Sequence, residues 1–424
     1  MPDMAKRVLG IGPRVYLGDI YMALEREGHQ CRVFALDPPE RRAFGGILRP
    51  IEDWRAELDW VGRDGIILFE QVGQGAIQDA LRAEGYRVIG GGAFGDRLEL
   101  DRAFGQSALA SAGLPVAAST AFPDGAAALD WLARHPGRYV LKHDNNARPT
   151  LVGEHPDGAD IAYELGRSGP GGKFLMERLD GVEVGVGAYF NGSRFLRPAC
   201  VDFEHKRFFP GEIGEMTGEM GTLASFEHAE ALFAATLGRM EGRFAEAGHV
   251  GYVNLNLIAD ERGVWPLEFT CRFGNPGFAV LAALQTGGWG GVLAAMVDRH
   301  STRIATAPGW SVAIVLTVPP FPGTAAATAG DDPPLFFHRT PEVDAANYHF
   351  VDMCRDGGQL LVHRRSGHAM IVTGIGPDVA SAQEAARSRA RNVIVPELRW
   401  RADIGDRFLE RDRARLRSWG WLPD

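Results

Sequence analysis

The sequence predicts an α/β protein: an N-terminal parallel α/β domain, a larger central domain and a C-terminal α+β domain. Three observations predict it. Short apolar runs alternate with helical patterns and glycine stops through the first quarter of the chain. Hairpin patterns fill the middle. From Gly309 the composition turns to apolar runs and Pro/Gly turns, with an Ala- and Arg-rich helix near residues 381–392. A length of 424 residues is too great for one simple core.

The elements follow in order. Arg7–Ile11 reads as a strand that ends at Gly10-Ile-Gly12. A helix pattern runs from Asp19 to Glu27, stopped by Gly28, and Cys31–Leu36 is a second strand. Gly65–Phe69 is a third strand, Ala76–Glu84 a helix, and Arg87–Ile89 a fourth strand. A parallel sheet of this kind meets ligands beyond the carboxyl ends of its strands, which places Gly10, Gly12, Arg14, Glu70 and Gln71 near one. Asp101–Ala112 is a helix. Tyr139–Lys142 and Lys173–Glu177 are strands, and an alternating stretch, Val182–Phe190, ends at the hairpin signal Asn191-Gly192. Gly251–Ala259 and Val264–Phe269 form a hairpin turned by Asp260–Gly263.

Composition excludes several classes. The net charge is −9, which argues against a nucleic-acid surface. Cys31, Cys200, Cys271 and Cys354 lie far apart, with no zinc spacing, and read as reduced, buried thiols. No apolar run has the length of a signal peptide or a membrane span, so the expectation is a cytoplasmic protein with no membrane partner.

Four places carry chemistry. In the 251–269 hairpin, Asn254 and Asn256 share one face, and Glu268 and Thr270 another pair of aligned positions, because strand side chains alternate. Oxygen ligands on adjacent strands suit Mg²⁺, and Arg272 beside them suits phosphate or carboxylate. Alone, the pattern is weak, because an ordinary hairpin with one Glu and one Arg is commoner. Lys142, at a strand end, reads as a phosphate point charge or an exposed lysine. Glu177, Asp180 and Glu183 surround a turn; a backbone hinge at Glu177 would pair with adenine and Glu183 would hold ribose hydroxyls, or the segment is a charged turn. Glu204-His205-Lys206-Arg207, followed by the glycine-rich stretch 214–221, reads as an anion site or as a basic surface turn with a flexible loop.

In this order the motifs resemble the phosphoribosylamine–glycine ligase (glycinamide ribonucleotide synthetase) family of the ATP-grasp superfamily. Glu204–Arg207 with Thr217–Gly221, and Leu267–Pro276, carry the resemblance. The family pattern reads roughly DHKR…GPNTGGMG and then EFNCRFGDPE. The likeness spans nearly the whole chain. It implies an N-terminal α/β domain over 1–104, an ATP-grasp core over 105–308 with a mobile lid at about 118–188, and a C-terminal domain over 309–424. It also implies ATP and Mg²⁺ as cofactors, and small-molecule carboxylate and amine substrates. The expected protein is a monomer or homodimer. By matching position, Lys142 and Arg148 would meet ATP phosphates, Glu177 adenine and Glu183 ribose. Glu268, Asn256 and Thr270 would hold the metal. Arg272, Lys206 and Arg207 would be catalytic, and Arg14, His205, Thr217, Gly218 and Asn275 would contact substrate.

Departures from the family pattern bear on the substrate. Thr270 replaces an asparagine, and the stretch Asn145–Thr150 lacks the glycines of an ATP loop. Glu215 and Glu219 add acids to the glycine-rich stretch, where they would suit a cationic amine. The implied activity is a carbon–nitrogen ligase that forms an amide through an acyl phosphate, with an amine other than phosphoribosylamine. The family's own reaction, and a non-catalytic nucleotide-binding homologue, are the alternatives.

Overall fold

The computed structural model describes residues 6–143, 150–323, 332–341 and 345–423. Four short strands, β1 (Arg7–Gly12), β2 (Gln30–Ala35), β3 (Ile66–Phe69) and β4 (Arg87–Ile89), form a parallel sheet in the order β2-β1-β3-β4. Their continuous apolar runs are what a sheet covered on both faces requires. Leu9 and Ile11 pack on one side with Trp54 and Val61, while Val8 packs on the other with Ile20 and Leu24. The strands and helices expected from the sequence in this part are all present.

A second sheet has its own small core. Strands β5 (Ser119–Phe122), β6 (Tyr139–His143), β7 (Leu151–Val152) and β8 (Lys173–Glu177) pair antiparallel in the order β5-β8-β6-β7. Helices Gly125–Arg134 and Ala159–Arg167 cover it and bury Ala128, Leu132, Ile161 and Leu165 against Leu141 and Leu175. Asp124 caps the first helix by accepting from Ala127 N at 2.9 Å.

The largest sheet has eight strands. Its order is β13-β12-β9-β10-β11-β14, continued by His368–Gly376 and Tyr348–Phe350. Here β9 is Val182–Asn191, β10 Cys200–Phe209, β11 Ile213–Ser225, β12 Val250–Ala259, β13 Val264–Thr270 and β14 Trp310–Thr317. Strands from both sides of Gly309 therefore share one sheet. Helix Val379–Asn392 lies on it, and Ala382, Ala386 and Ala390 are its buried stripe at four-residue spacing.

One local expectation is corrected. Glu204–Arg207 is neither a surface turn nor followed by a flexible loop; it lies within β10, paired to the 13-residue strand β11. The run of titratable residues hides a period-two pattern. Val201, Phe203 and His205 point into the core, and Asp202, Glu204 and Lys206 point the other way.

Candidate active site

The polar face of the large sheet is built row by row. In the β12–β13 hairpin, Asn256 stands opposite Glu268 and Asn254 opposite Thr270. On the other side of β12, Asn256 faces Gly185 and Asn254 faces Gly187 of β9. Gly185 in turn faces Asp202 of β10. The glycine is required there, because a Cβ on Gly185 would lie 2.2 Å from Asp202 Oδ1. Its absence lets the Asp202 carboxylate cross β9 and accept from Asn254 Nδ2 at 2.5 Å.

Lys206 is the electrostatic centre. Its Nζ lies 3.1 Å from Glu183 Oε1, 3.1 Å from Glu204 Oε2 and 3.9 Å from Glu268 Oε1. Burial works against this ammonium, but Glu204, Glu183 and Glu268 outweigh it and hold its pKa well above the ordinary value. Glu183 is the reciprocal case: burial alone would raise its pKa, and Lys206, Arg407 and Lys142 lower it. Lys142, at the end of β6, is 8% exposed. Burial and then Arg102 bring its pKa down to about 8, against the opposing pull of Glu268 and Glu183. The small sheet thus delivers one lysine into the field of the large sheet's carboxylates.

Two cavities meet at this cluster. One, of about 240 Å³, is walled by Lys206, Gly218, Asn256 and Asn275 among others. The second, of about 230 Å³, lies beside Arg102 and Gln106. Glu268, Thr270 and Arg272 wall both. Arg272 is held in place by Glu99, whose Oε1 accepts from its Nε at 2.9 Å while Oε2 accepts from Cys271 N at 2.8 Å. A cation fixed between two polar cavities is the arrangement that phosphoryl or acyl transfer needs, since both place negative charge there.

A divalent cation has a chemically suitable donor set in Glu268, Asn256 and Thr270. All offer hard oxygen, and Asn256 uses its Nδ2 on Glu204 at 3.2 Å, which leaves its amide oxygen as an acceptor. Glu268 is the one carboxylate of this set.

The structure does not gather every expected residue. His205 is 1% exposed on the core side of β10, where its Nε2 accepts from Gly405 N at 3.2 Å. Burial, then Arg407 and Arg401, depress its pKa to about 3, so it is a neutral core imidazole. Arg207 donates to Gly214 O at 2.8 Å and walls neither cavity. Thr217 walls neither as well; its Oγ1 donates to the Lys206 carbonyl at 2.7 Å and steadies the strand that presents Lys206. Arg14 pairs with Asp352 at 3.0 Å and lies over the Tyr16 ring, apart from both cavities. Glu177 is exposed at the end of β8, outside both cavity walls. Arg148 lies outside the described residues. Glu215 is exposed and lines neither cavity.

Several wall or bracing residues are not reached by the sequence reading, among them Asp202, Thr222, Tyr252, Arg102 and Glu99. The alternation Val201-Asp202-Phe203-Glu204 is the signal that points to the first.

No protein-family model matches the chain. It is similar to phosphoribosylamine–glycine ligases from Neisseria meningitidis serogroup B, 25% identical across 81% of this chain and 85% of that protein, and from Streptomyces coelicolor, 27% identical across 91% of each. In fold it matches the phosphoribosylamine–glycine ligase of Thermotoga maritima at a TM-score of 0.71, with 18% identity over 94% of this chain and all of that one. It also matches the N5-carboxyaminoimidazole synthetase of Staphylococcus aureus complexed with ADP, at a TM-score of 0.60 and 14% identity over 91% of this chain and 97% of that one. The fold is that of the ATP-grasp ligases.

Proposed function

We propose that this chain is an ATP-dependent carboxylate–amine ligase that makes an amide through an acyl phosphate, with an amine acceptor other than phosphoribosylamine. One observation carries the reading: Lys206, Glu268 and Arg272 wall two adjoining cavities, and Lys142 and Glu183 act electrostatically on the same cluster, the five coming from four separate strands (β6, β9, β10 and β13) and the turn after β13. Lys142 and Arg272 would bind ATP phosphates and the acyl phosphate. Glu183 would orient the nucleotide through its ribose. The small sheet that carries Lys142 would act as the lid. Mg²⁺, held by Glu268 with Asn256 and Thr270, would neutralise charge on the transferring phosphoryl group. The protein's own groups then position the carboxylate, and the walls of the cavity exclude water from the reactive anhydride. A cytoplasmic location is part of this proposal; among the described residues no helix is long and apolar enough to cross a membrane.

A second reading, the glycine ligation of phosphoribosylamine itself, is favoured by the likeness to ligases of that name over most of the chain. Acids on the wall of the larger cavity favour the first. Purified protein with ATP and Mg²⁺ should release ADP only when both a carboxylate and an amine are supplied. Glycine with phosphoribosylamine runs beside a panel of amino acids and amines, and Glu268→Ala should abolish release. Binding of ATP with no ADP from any pair would leave a nucleotide-binding protein instead.

A further inference from the structure

We propose that Asp202, Glu219 and Thr222 form a subsite for a second, positively charged group on the amine substrate, which makes that substrate a diamine or a guanidino-amine with a short carbon spacer. This rests on the ligase reading and names the class of its acceptor.

The argument starts from unpaired acceptors. Asp202 is 5% exposed and walls the larger cavity. Its Oδ2 accepts from Asn254, but its Oδ1 has no partner. Glu219, on the same wall, likewise leaves Oε1 without a partner. Thr222 belongs to no carboxylate cluster, yet it is 2% exposed, lies on this wall, and its Oγ1 also has no partner. Burial, then Glu204, raises the Asp202 pKa to about 8, and burial, Glu204 and Asp202 raise that of Glu219 well above the ordinary value, so a cation arriving here ionises both as it supplies the missing donors.

The nearby cations do not supply that donor. Lys206 is engaged with Glu183 and Glu204 at 3.1 Å each, and Arg272 with Glu99 at 2.9 Å. An ammonium offers three donors and no acceptor, which is the complement of this wall. Val280 and Leu281 add an apolar side that suits methylenes between the held group and the reacting nitrogen. Glu219 also stands where the family pattern that the sequence resembles has glycine.

The test is calorimetric titration of the full chain, without ATP, using 1,3-diaminopropane, 3-aminopropan-1-ol, propane-1,3-diol and magnesium chloride as probes. The diamine should bind at least tenfold more tightly than the amino alcohol, and the diol should not bind. Glu219→Gln should weaken the diamine at least tenfold while cooperative unfolding is retained. Asp202→Asn is the second variant, with the same expected loss. Equal affinity for diamine and amino alcohol, an unchanged Glu219→Gln, or displacement of the diamine by Mg²⁺ would overturn the subsite. ADP release separates the two claims. Diamine binding with no ADP from any carboxylate supports the subsite and sinks the ligase reading. ADP formed with a neutral-tailed amine in preference to the diamine does the reverse.

Discussion

Lys206 Nζ lies 3.1 Å from Glu183 Oε1, and this one contact ties β10 to β9 at the centre of the polar face. The same ammonium offsets Glu204 and Glu268. Removing it leaves three carboxylates facing one another. Lys206→Met should therefore destabilise the fold by about 2 kcal/mol, the buried-pair cost discounted for partial exposure. Adding Glu183→Gln to it should recover part of that loss. Urea denaturation of the two variants measures both values, and an unchanged midpoint in Lys206→Met would refute the role given to this lysine.

Lys142 carries a pH signature. Its pKa, lowered to about 8 by burial and Arg102, means that the free protein loses this charge as pH rises through that value. ATP affinity should be flat below pH 7 and fall above pH 8, by up to about tenfold per unit. Lys142→Arg, which stays charged, should be flat across the range. Parallel wild-type and variant curves, from fluorescence or calorimetric titration, would count against contact between Lys142 and the phosphates.

Glu70 makes the opposite kind of prediction, about stability. It is 1% exposed and accepts from Tyr16 N, Leu17 N and the Tyr21 hydroxyl. Burial nevertheless raises its pKa from 4.5 to about 7. The folded state thus binds this proton more tightly than the unfolded one. Stability from this group is full below pH 4.5, declines as pH rises to about 7, and is then lost, by about 3 kcal/mol in all. Glu70→Gln should remove that slope. The readout is the difference between wild-type and variant unfolding free energies at pH 5 and pH 8.

Gly185→Ala would place a methyl group 2.2 Å from Asp202 Oδ1. The backbone of β9 is paired on both sides and has little room to move. The expected cost is about 2 kcal/mol, read as a lower thermal midpoint. A wild-type midpoint would mean that Asp202 does not lie across β9.

Much of this was legible in the sequence where the pattern was local. The β12–β13 hairpin shows itself through alternating apolar residues and the turn Asp260–Gly263, and its register puts Asn256 across from Glu268 as the alternation requires. The four parallel strands are announced by apolar runs between glycines. The pair β10–β11 was hidden. Glu204-His205-Lys206-Arg207 removes the hydrophobic contrast that marks a strand, and the glycines at 214, 218 and 221 imitate a loop. Reading them as an anion site beside a loop, together with the family resemblance, assigns His205 and Arg207 to the site. Period-two geometry gives the site Asp202, Glu204 and Lys206 instead. The union of strands from both sides of Gly309 in one sheet depends on pairing between β11 and β14, which no local pattern encodes.

The most direct test of acyl-phosphate chemistry follows the oxygen atoms. The carboxylate substrate is labelled with ¹⁸O and incubated with ATP, Mg²⁺ and the amine that supports ADP release. If the carboxylate attacks the γ-phosphorus and the amine then displaces phosphate, one labelled oxygen must leave on inorganic phosphate. Mass spectrometry should find that transfer at one label per amide formed, and Glu268→Ala should show none. Amide formed with unlabelled phosphate, or with AMP and pyrophosphate as the other products, would contradict the mechanism.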